Sequence, residues 1–272
     1  MEKVSVTIIV KNEEEKIADC LESVAWADEV VVSDSGSTDS TVEICRRFGA
    51  RVFEDDWLGF GAQKNLCAGR ATSDWILNVD ADERVTPELA GEIAAALGGA
   101  GGAGAAAAGA SGNVGYYMPR KNYFGRRWIR HCGWYPDHNL RLYRKDAGRF
   151  SERKVHEAVK VTGPRGYLKN PLVHLTYRNV SDYLRRMERY STLAAEEMLK
   201  GGRRSGMLDI FFRPPLTFFK MLLLRRGFLD GTYGVLLSAL YSCYTLSKYA
   251  KLWELERGLS GGGRVSGQGP SV

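Results

Sequence analysis

Two carboxylates two positions apart, Asp80 and Asp82, end the apolar run Trp75-Ile76-Leu77-Asn78-Val79. Side chains alternate along a strand, so the pair can point the same way where the strand gives out. In open α/β sheets ligands bind beyond the carboxyl ends of the strands. Paired carboxylates in that position suit a hard divalent cation, Mg²⁺ or Mn²⁺, which takes oxygen ligands and is often completed by substrate phosphates. An Asp-x-Asp also occurs in ordinary surface loops, so the elements around it have to carry the argument.

Those elements alternate. Val4-Ser5-Val6-Thr7-Ile8-Ile9-Val10 reads as a buried strand, and Asn12 as the N-cap of a helix running to about Val24. Glu29-Val30-Val31-Val32-Ser33 is a second strand, ended by Asp34. The turn at 35–40 leads into a helix over 41–48, then a short strand at 51–53, a helix over 61–69 and the strand that ends at Asp80. Strands and helices at this pace predict a parallel, doubly wound sheet, with right-handed crossovers placing these strand ends along one edge. Thr86 caps a further helix with Pro87 in its first turn. The Gly/Ala tract at 98–110 reads as a linker.

Charge divides the chain. Residues 1–98 hold 9 basic and 20 acidic side chains, whereas 116–170 hold 14 basic and 4 acidic. This fits a cation-binding and an anion-binding side of one cleft, or two differently solvated surfaces. From Tyr116 onward basic residues interleave with aromatics, but no nucleic-acid-binding motif is present, so nucleic acid is not an expected partner. Strands are expected at 140–144 and 172–175, and an amphipathic helix over 181–200 closed by Gly201-Gly202.

Two apolar segments follow, 207–224, which Pro214-Pro215 should break, and 231–247, which is marginal for a membrane span. Arg203, Arg204, Arg213, Lys220, Arg225, Arg226, Lys248 and Lys251 punctuate them. The pattern fits helices on an anionic membrane surface, or a helical cap. The expected division is a catalytic domain over 1–180, a helical region over 181–258 and a disordered Gly-rich tail over 259–272. Five cysteines without a C-x-x-C spacing favour reduced, buried thiols in a cytosolic protein. Met1-Glu2-Lys3 runs straight into a strand, without a basic-then-apolar signal peptide.

Taken in order, Val6-Thr7-Ile8-Ile9-Val10-Lys11-Asn12-Glu13, Val31-Val32-Ser33-Asp34-Ser35-Gly36-Ser37-Thr38-Asp39, Gln63-Lys64-Asn65 and Asp80-Ala81-Asp82 resemble the family 2 glycosyltransferases of GT-A fold. The blocks Gly133-Trp134-Tyr135-Pro136-Asp137, Arg141-Leu142-Tyr143-Arg144, Val155-His156-Glu157 and Lys248-Tyr249-Ala250-Lys251-Leu252-Trp253 are similar to those of lipopolysaccharide core β-glucosyltransferases. The resemblance implies an α/β fold with a GT-A type doubly wound mixed sheet flanked by helices, and a C-terminal helical appendage. It implies an inverting, metal-dependent transfer of a sugar, glucose from UDP-glucose, to a lipid-linked glycan acceptor, the inner core of lipopolysaccharide. It places the protein in the cytoplasm, peripheral on the inner face of the membrane.

For individual residues, the resemblance makes Thr7, Glu13, Asp34 and Asp80 nucleotide contacts, with Asp34 on the uracil ring. Asp82 resembles the metal-binding Asp, with Asp80 on the ribose or reaching the metal through water. Lys64 is a diphosphate partner or a solvated helix residue. Helix capping explains Ser37, Thr38 and Asp39 better than ligand contact does. The late acidic base of the family is replaced by His156-Glu157, with Glu157 as base and His156 tuning it, or with Glu157 pairing an arginine. The rival readings are a nucleotidyltransferase that makes nucleotide sugars and a non-catalytic membrane-surface scaffold. The former would carry a Gly-rich phosphate loop where Lys11-Asn12-Glu13-Glu14 stands.

Overall fold

The computed structural model describes residues 2–98, 112–151 and 158–259. The linker tract, the His156-Glu157 pair and the Gly-rich tail from Ser260 lie outside the described residues. The described residues divide into two compact units, one formed by residues 2–98, 112–120, 137–151 and 158–174, the other by 121–136 and 175–259.

The first unit opens with β1 (Val4–Val10), α1 (Glu14–Ser23), β2 (Glu29–Asp34), α2 (Thr41–Arg47), β3 (Arg51–Glu54), α3 (Phe60–Arg70) and β4 (Trp75–Asn78). Every residue of β1 is buried, as expected of a strand covered on both faces. β1 pairs in parallel with β2 and β4, and β2 with β3. Alternate residues serve opposite cores. Val6, Ile8 and Val10 pack with Ile17 and Leu21 of α1, while Ile9 packs with Cys67 and Ala68 of α3.

β5 (Glu83–Val85), α4 (Pro87–Ala96), β6 (Gly115–Phe124), β7 (Arg127–Trp128), β8 (Asp137–Arg144), β9 (Gly148–Phe150), β10 (Val159–Val161), β11 (Arg165–Tyr167) and β12 (Leu172–Tyr177) follow. β8 adds to β4 in the antiparallel sense, giving the order β3-β2-β1-β4-β8-β6-β12-β5. The sheet is therefore mixed, parallel through β1–β4 and again where the short β11 lies beside β6. Thr86 caps α4 by accepting from the Leu89 amide at 3.2 Å. Asn12 does not cap α1. It adopts a left-handed conformation (φ 55°), which asparagine tolerates, and its Oδ1 accepts the Thr38 amide at 2.8 Å.

The second unit holds β7, α5 (Val180–Lys200), α6 (Met207–Phe219), a π-helical turn (Lys220–Leu224), a 3₁₀ turn (Gly227–Asp230) and α7 (Thr232–Glu256). Its core gathers Phe124, Ile129, Trp134, Tyr183, Leu237 and Leu240. Gly227 and Gly234 make the approach to α7 possible, because a Cβ on Gly234 would meet the Gly227 carbonyl oxygen at 1.7 Å.

Pro214-Pro215 does not break α6. The prolines withdraw two helical donors, yet Pro214 is buried and its carbonyl takes the Ser242 hydroxyl at 2.9 Å. Packing against α7 outweighs the local penalty. Lys251 is partly buried and tied down, with its ammonium 2.9 Å from the exposed Glu188 carboxylate. Its ammonium donates to the Glu188 carbonyl, Ser191 Oγ and Thr192 Oγ1 within 2.9 Å. Among the described residues no helix is long and apolar enough to cross a membrane. All five cysteines are free, four of them buried.

Candidate active site

Glu13, Asp34, Asp80 and Asp82 stand at or just past the carboxyl ends of β1, β2 and β4. The loops after β1 and β2 are tied together. The Glu13 amide donates to Thr41 Oγ1 at 2.8 Å, the Glu14 amide to Asp39 Oδ2 at 3.2 Å and the Ser40 amide to Glu14 Oε2 at 3.0 Å. Asp39 also receives the Thr41 amide and hydroxyl. Ser37, Thr38 and Asp39 thus serve the helix starts and the neighbouring loop. Asp34 is buried, and its Oδ2 accepts the Gly36 and Ser37 amides at 2.9 Å each, while its Oδ1 takes the Ser37 hydroxyl. This is an Asx turn in which Gly36 supplies the positive φ.

After β4 the chain turns sharply. The Glu83 amide donates to the Asp80 carbonyl at 2.8 Å, and Glu83 Oε2 accepts the Asp80 amide at 3.0 Å. The turn sends the two aspartates to different partners. Asp80 Oδ1 is 2.9 Å from Lys64 Nζ, and Asp80 Oδ2 is 2.6 Å from Arg141 Nη2. Arg141 also donates to Glu83 Oε1 at 2.6 Å and to Asn78 Oδ1 at 3.0 Å. Arg120 continues the chain, 3.5 Å from Glu83 and 2.5 Å from Asp137. Six charges therefore alternate in sign from Lys64 through Asp80, Arg141, Glu83 and Arg120 to Asp137. Burial would raise the Asp80 pKa, but the Arg141 and Lys64 charges outweigh it and hold the carboxyl well below its ordinary range.

Asp82, 5% exposed, lies 3.6 Å from His174 Nε2. Burial pushes its pKa up, yet the His174 charge and hydrogen bond prevail and bring it down to about 2. The β12–β5 register sets this meeting, since His174 pairs with Glu83, the residue after Asp82.

Two expectations need correcting. Thr7 is not at the end of β1 but three residues inside it, fully buried, where its carbonyl and hydroxyl receive Asn78 Nδ2 at 3.2 and 3.4 Å. It braces the residue that braces Arg141. Lys64 is not a solvated helix residue, because α3 packs its side chain inward, with its ammonium on Asp80 and 5.3 Å from the Phe150 ring centre. Glu13 is buried and pairs with Lys16 at 2.8 Å. Gln63 supports the scaffold. Its Nε2 donates to Ser33 Oγ at 2.6 Å, and Ser33 in turn donates to Asp55 at 2.7 Å.

Sequence reasoning assigned no role to Arg141, Glu83, Asn78 or His174. The signal was a polar residue inside an apolar strand, Leu140-Arg141-Leu142 and Val173-His174-Leu175, which has to find a buried partner.

The family model described as glycosyl transferase family 2 matches residues 5–173. The lipopolysaccharide core biosynthesis glycosyltransferase LpsC of Rhizobium meliloti (strain 1021) is 30% identical over 263 residues, covering 90% of each chain. The uncharacterized glycosyltransferase RT0209 of Rickettsia typhi is 29% identical, covering 94% of this chain and 88% of that one. Among solved structures, S. aureus TarS 1-349 in complex with UDP is similar at TM-score 0.47 and 16% identity, covering 94% of this chain and 92% of that one. Glucosyl-3-phosphoglycerate synthase from Mycobacterium tuberculosis, solved with Mn²⁺, UDP and glucosyl-3-phosphoglycerate, is similar at TM-score 0.46 and 17% identity, covering 75% of this chain and 82% of that one.

Proposed function

The chain belongs to glycosyl transferase family 2, and from that premise we propose an inverting, metal-dependent hexosyltransferase that moves glucose from UDP-glucose to a hydroxyl of a lipid-linked glycan, the inner core of lipopolysaccharide. The observation that carries this reading is the turn after β4, where Asp82 stands 3.6 Å from His174 beside a clamped Asp80.

Among the described residues no three His, Cys, Asp or Glu side chains gather as a ligand cluster, and the pair Asp82 and His174 is what supports a cation in this reading. Asp82 Oδ1 and His174 Nε2, 3.6 Å apart, are near enough that both would reach one ion after a small adjustment. The Asp82 carboxylate oxygen suits Mn²⁺ or Mg²⁺, and the His174 imidazole nitrogen favours the softer Mn²⁺ over Mg²⁺. Asp82 and His174 would hold the ion, and Asp80, with both oxygens on cations, would meet it through water or face the ribose. A bound cation would offset charge on the leaving diphosphate.

The remaining work falls to the chain. Asp34 would accept from the uracil ring through Oδ1, the oxygen on which its turn leaves a lone pair over. Glu13 would stand at the nucleotide from the neighbouring loop. Lys64, anchored on Asp80, would lend positive charge toward the diphosphate. Glu157 would take the acceptor proton, with His156 tuning it. The name of the Rhizobium relative supports the lipopolysaccharide acceptor.

An anionic membrane surface is the third partner in this proposal, which places the protein on the cytoplasmic face of the membrane. Leu208, Phe211, Phe212, Leu216, Phe219 and Leu224 are all exposed along α6 and the turn after it, with Leu224 at 80%. Arg203, Arg204, Arg213, Lys220, Arg225 and Arg226 are exposed among them. Apolar side chains set among cations are what an interfacial helix presents to anionic lipid.

A nucleotide-sugar panel with Mg²⁺ or Mn²⁺ tests the donor, and mass spectrometry of lipopolysaccharide from a deletion strain tests the acceptor. Hydrolysis or transfer restricted to UDP-glucose, and a core truncated by one hexose, are the expected results. A panel without turnover of any nucleotide sugar would refute the proposal. Glu157→Gln should lower transfer by about 10²- to 10⁴-fold with donor binding intact, and wild-type transfer by that variant would remove Glu157 from the base role.

A further inference from the structure

Three rings meet at the edge of β11 in the first unit. Tyr167 stacks on Tyr117 with ring centroids 5.0 Å apart and planes 18° from parallel. The His138 ring meets Tyr167 edge-on at 5.5 Å. Tyr117 is half-buried and packs against the core cluster of Ile76 and Tyr143. Tyr167 belongs to no core cluster and leaves 65% of its surface to water. Tyr117 fixes the orientation of the ring, and most of the Tyr167 side chain stays open to solvent. Arg165, two residues earlier and exposed, points its guanidinium to within 3.4 Å of the Tyr117 hydroxyl.

The backbone builds this platform. β11 runs parallel to β6 with Tyr167 opposite Tyr117. The strands approach this closely because residue 166 is glycine. A Cβ there would meet the Tyr116 ring and Asn113 Nδ2 at 2.7 Å. A larger residue would push β11 away and separate the rings.

The platform stands near the reacting end of the sheet. β8 runs antiparallel to β4, so its first residues lie beside the carboxyl end of β4, where Asp80 is found. His138 precedes Arg141, the residue that clamps Asp80, by three positions on β8, or about 10 Å along the strand. A short oligosaccharide with one end at Asp80 has the reach to lie across Tyr167.

We infer that Tyr167, backed by Tyr117 and His138, is a stacking subsite for a sugar ring of the acceptor glycan, and that Arg165 meets an anionic substituent, carboxylate or phosphate, on that sugar. The inference rests on the glycosyltransferase reading above and adds where the acceptor is held. One face of a pyranose presents C–H bonds with partial positive charge, which complement the negative face of an aromatic ring. An exposed, fixed guanidinium beside such a face adds charge-assisted hydrogen bonding to an oxyanion.

The test measures binding without donor. The probe is the delipidated core oligosaccharide from a deletion strain, used as isolated and after carboxyl reduction and dephosphorylation, with affinity read by calorimetry. Tyr167→Ala should raise Kd about tenfold, the loss of one ring contact, and Tyr167→Phe should stay within twofold of wild type. Arg165→Ala should weaken binding of the native oligosaccharide and leave binding of the neutral form unchanged. Treating the two anionic groups separately tells carboxylate from phosphate. Melting temperatures check folding, and if Tyr167→Ala melts early the Arg165→Ala comparison carries the test. Tyr167→Ala binding as tightly as wild type, or a wild-type protein that hydrolyses UDP-glucose but binds neither form of the oligosaccharide, overturns the subsite and leaves the transferase reading intact. Oligosaccharide binding of the expected pattern in a protein that turns over no nucleotide sugar upholds the subsite and overturns the transferase reading.

Discussion

Replacing Arg141 by methionine should be among the costliest single changes in the first unit. The guanidinium sits between Asp80 at 2.6 Å, Glu83 at 2.6 Å and Asn78 at 3.0 Å. The Glu83 side chain is 0% exposed, so water cannot take over. Asp80 would keep Lys64, but Glu83 would keep only the Asp80 amide and an Arg120 contact at 3.5 Å. Stranding one member of a buried ion pair costs about 3–5 kcal/mol. At about 2–4 °C per kcal/mol, the melting temperature should fall by roughly 6–20 °C.

A charge mechanism also predicts the pH response. Arg141 is the largest charge holding the Asp80 carboxyl down, so without it Asp80 takes up a proton more readily in the folded state and the deficit should narrow as pH falls. A packing defect would give the same deficit at every pH. Adding Glu83→Gln to Arg141→Met neutralises the stranded charge and should recover part of the loss, a coupling of about 0.5–3 kcal/mol. Calorimetric melts of the three proteins at pH 5 and 7 make the measurement. An Arg141→Met protein that melts within 2 °C of wild type, on the scale of about 1 kcal/mol or less, would refute the reasoning.

Four other outcomes are expected. Mn²⁺ at a hundred times its Kd should stabilise the wild type by about 2.7 kcal/mol; Asp82→Ala and His174→Ala should abolish that shift, and turnover of Asp82→Ala should fall about 10²- to 10⁴-fold, whereas a shift retained in both variants would remove the proposed ligands. Asp34→Ala should weaken UDP binding in calorimetry and also lower the melting temperature, because the carboxylate that would meet uracil holds the Gly36 and Ser37 amides, each hydrogen bond to a charged group being worth about 1.5–3 kcal/mol; unchanged UDP affinity would count against the nucleotide role. Phe211→Ser with Phe212→Ser should release the protein from anionic vesicles in flotation while leaving its melting temperature unchanged, since both rings are exposed, and a wild type that never floats would turn the ridge over to some other partner. The Arg70 hydrogen bonds, against burial and together with Ser33, hold the Asp55 pKa below its ordinary value; a depressed folded pKa contributes stability above the unfolded value of about 3.9 and loses it as pH falls through the folded one, so the destabilisation by Asp55→Asn should be present at pH 7 and fade below about pH 4, and a deficit that persists at pH 2 would assign the effect to packing.

Local pattern determined the elements. The apolar runs of β1, β2 and β4, the Thr86-Pro87 helix start and the amphipathic repeat of α5 declare themselves within a few residues, because side-chain periodicity and capping are short-range properties. The order of motifs along the chain also pointed to Asp34, Asp80 and Asp82 at the strand ends and to Lys64 on the helix before β4. Pairing was a different matter. Arg141 reaches Asp80 across 61 positions, and His174 meets Asp82 because β12 pairs with β5 in the register that sets His174 against Glu83. Nothing local fixes a register between strands that far apart, since it follows from how the whole sheet buries its two faces. The same dependence explains why Thr7 proved to be a brace, Lys64 an inward ion-pair partner, and Lys251 a partly buried tie. A lone basic side chain in a sequence reads as solvated, and only the packing around it decides whether water or a buried carboxylate is its partner.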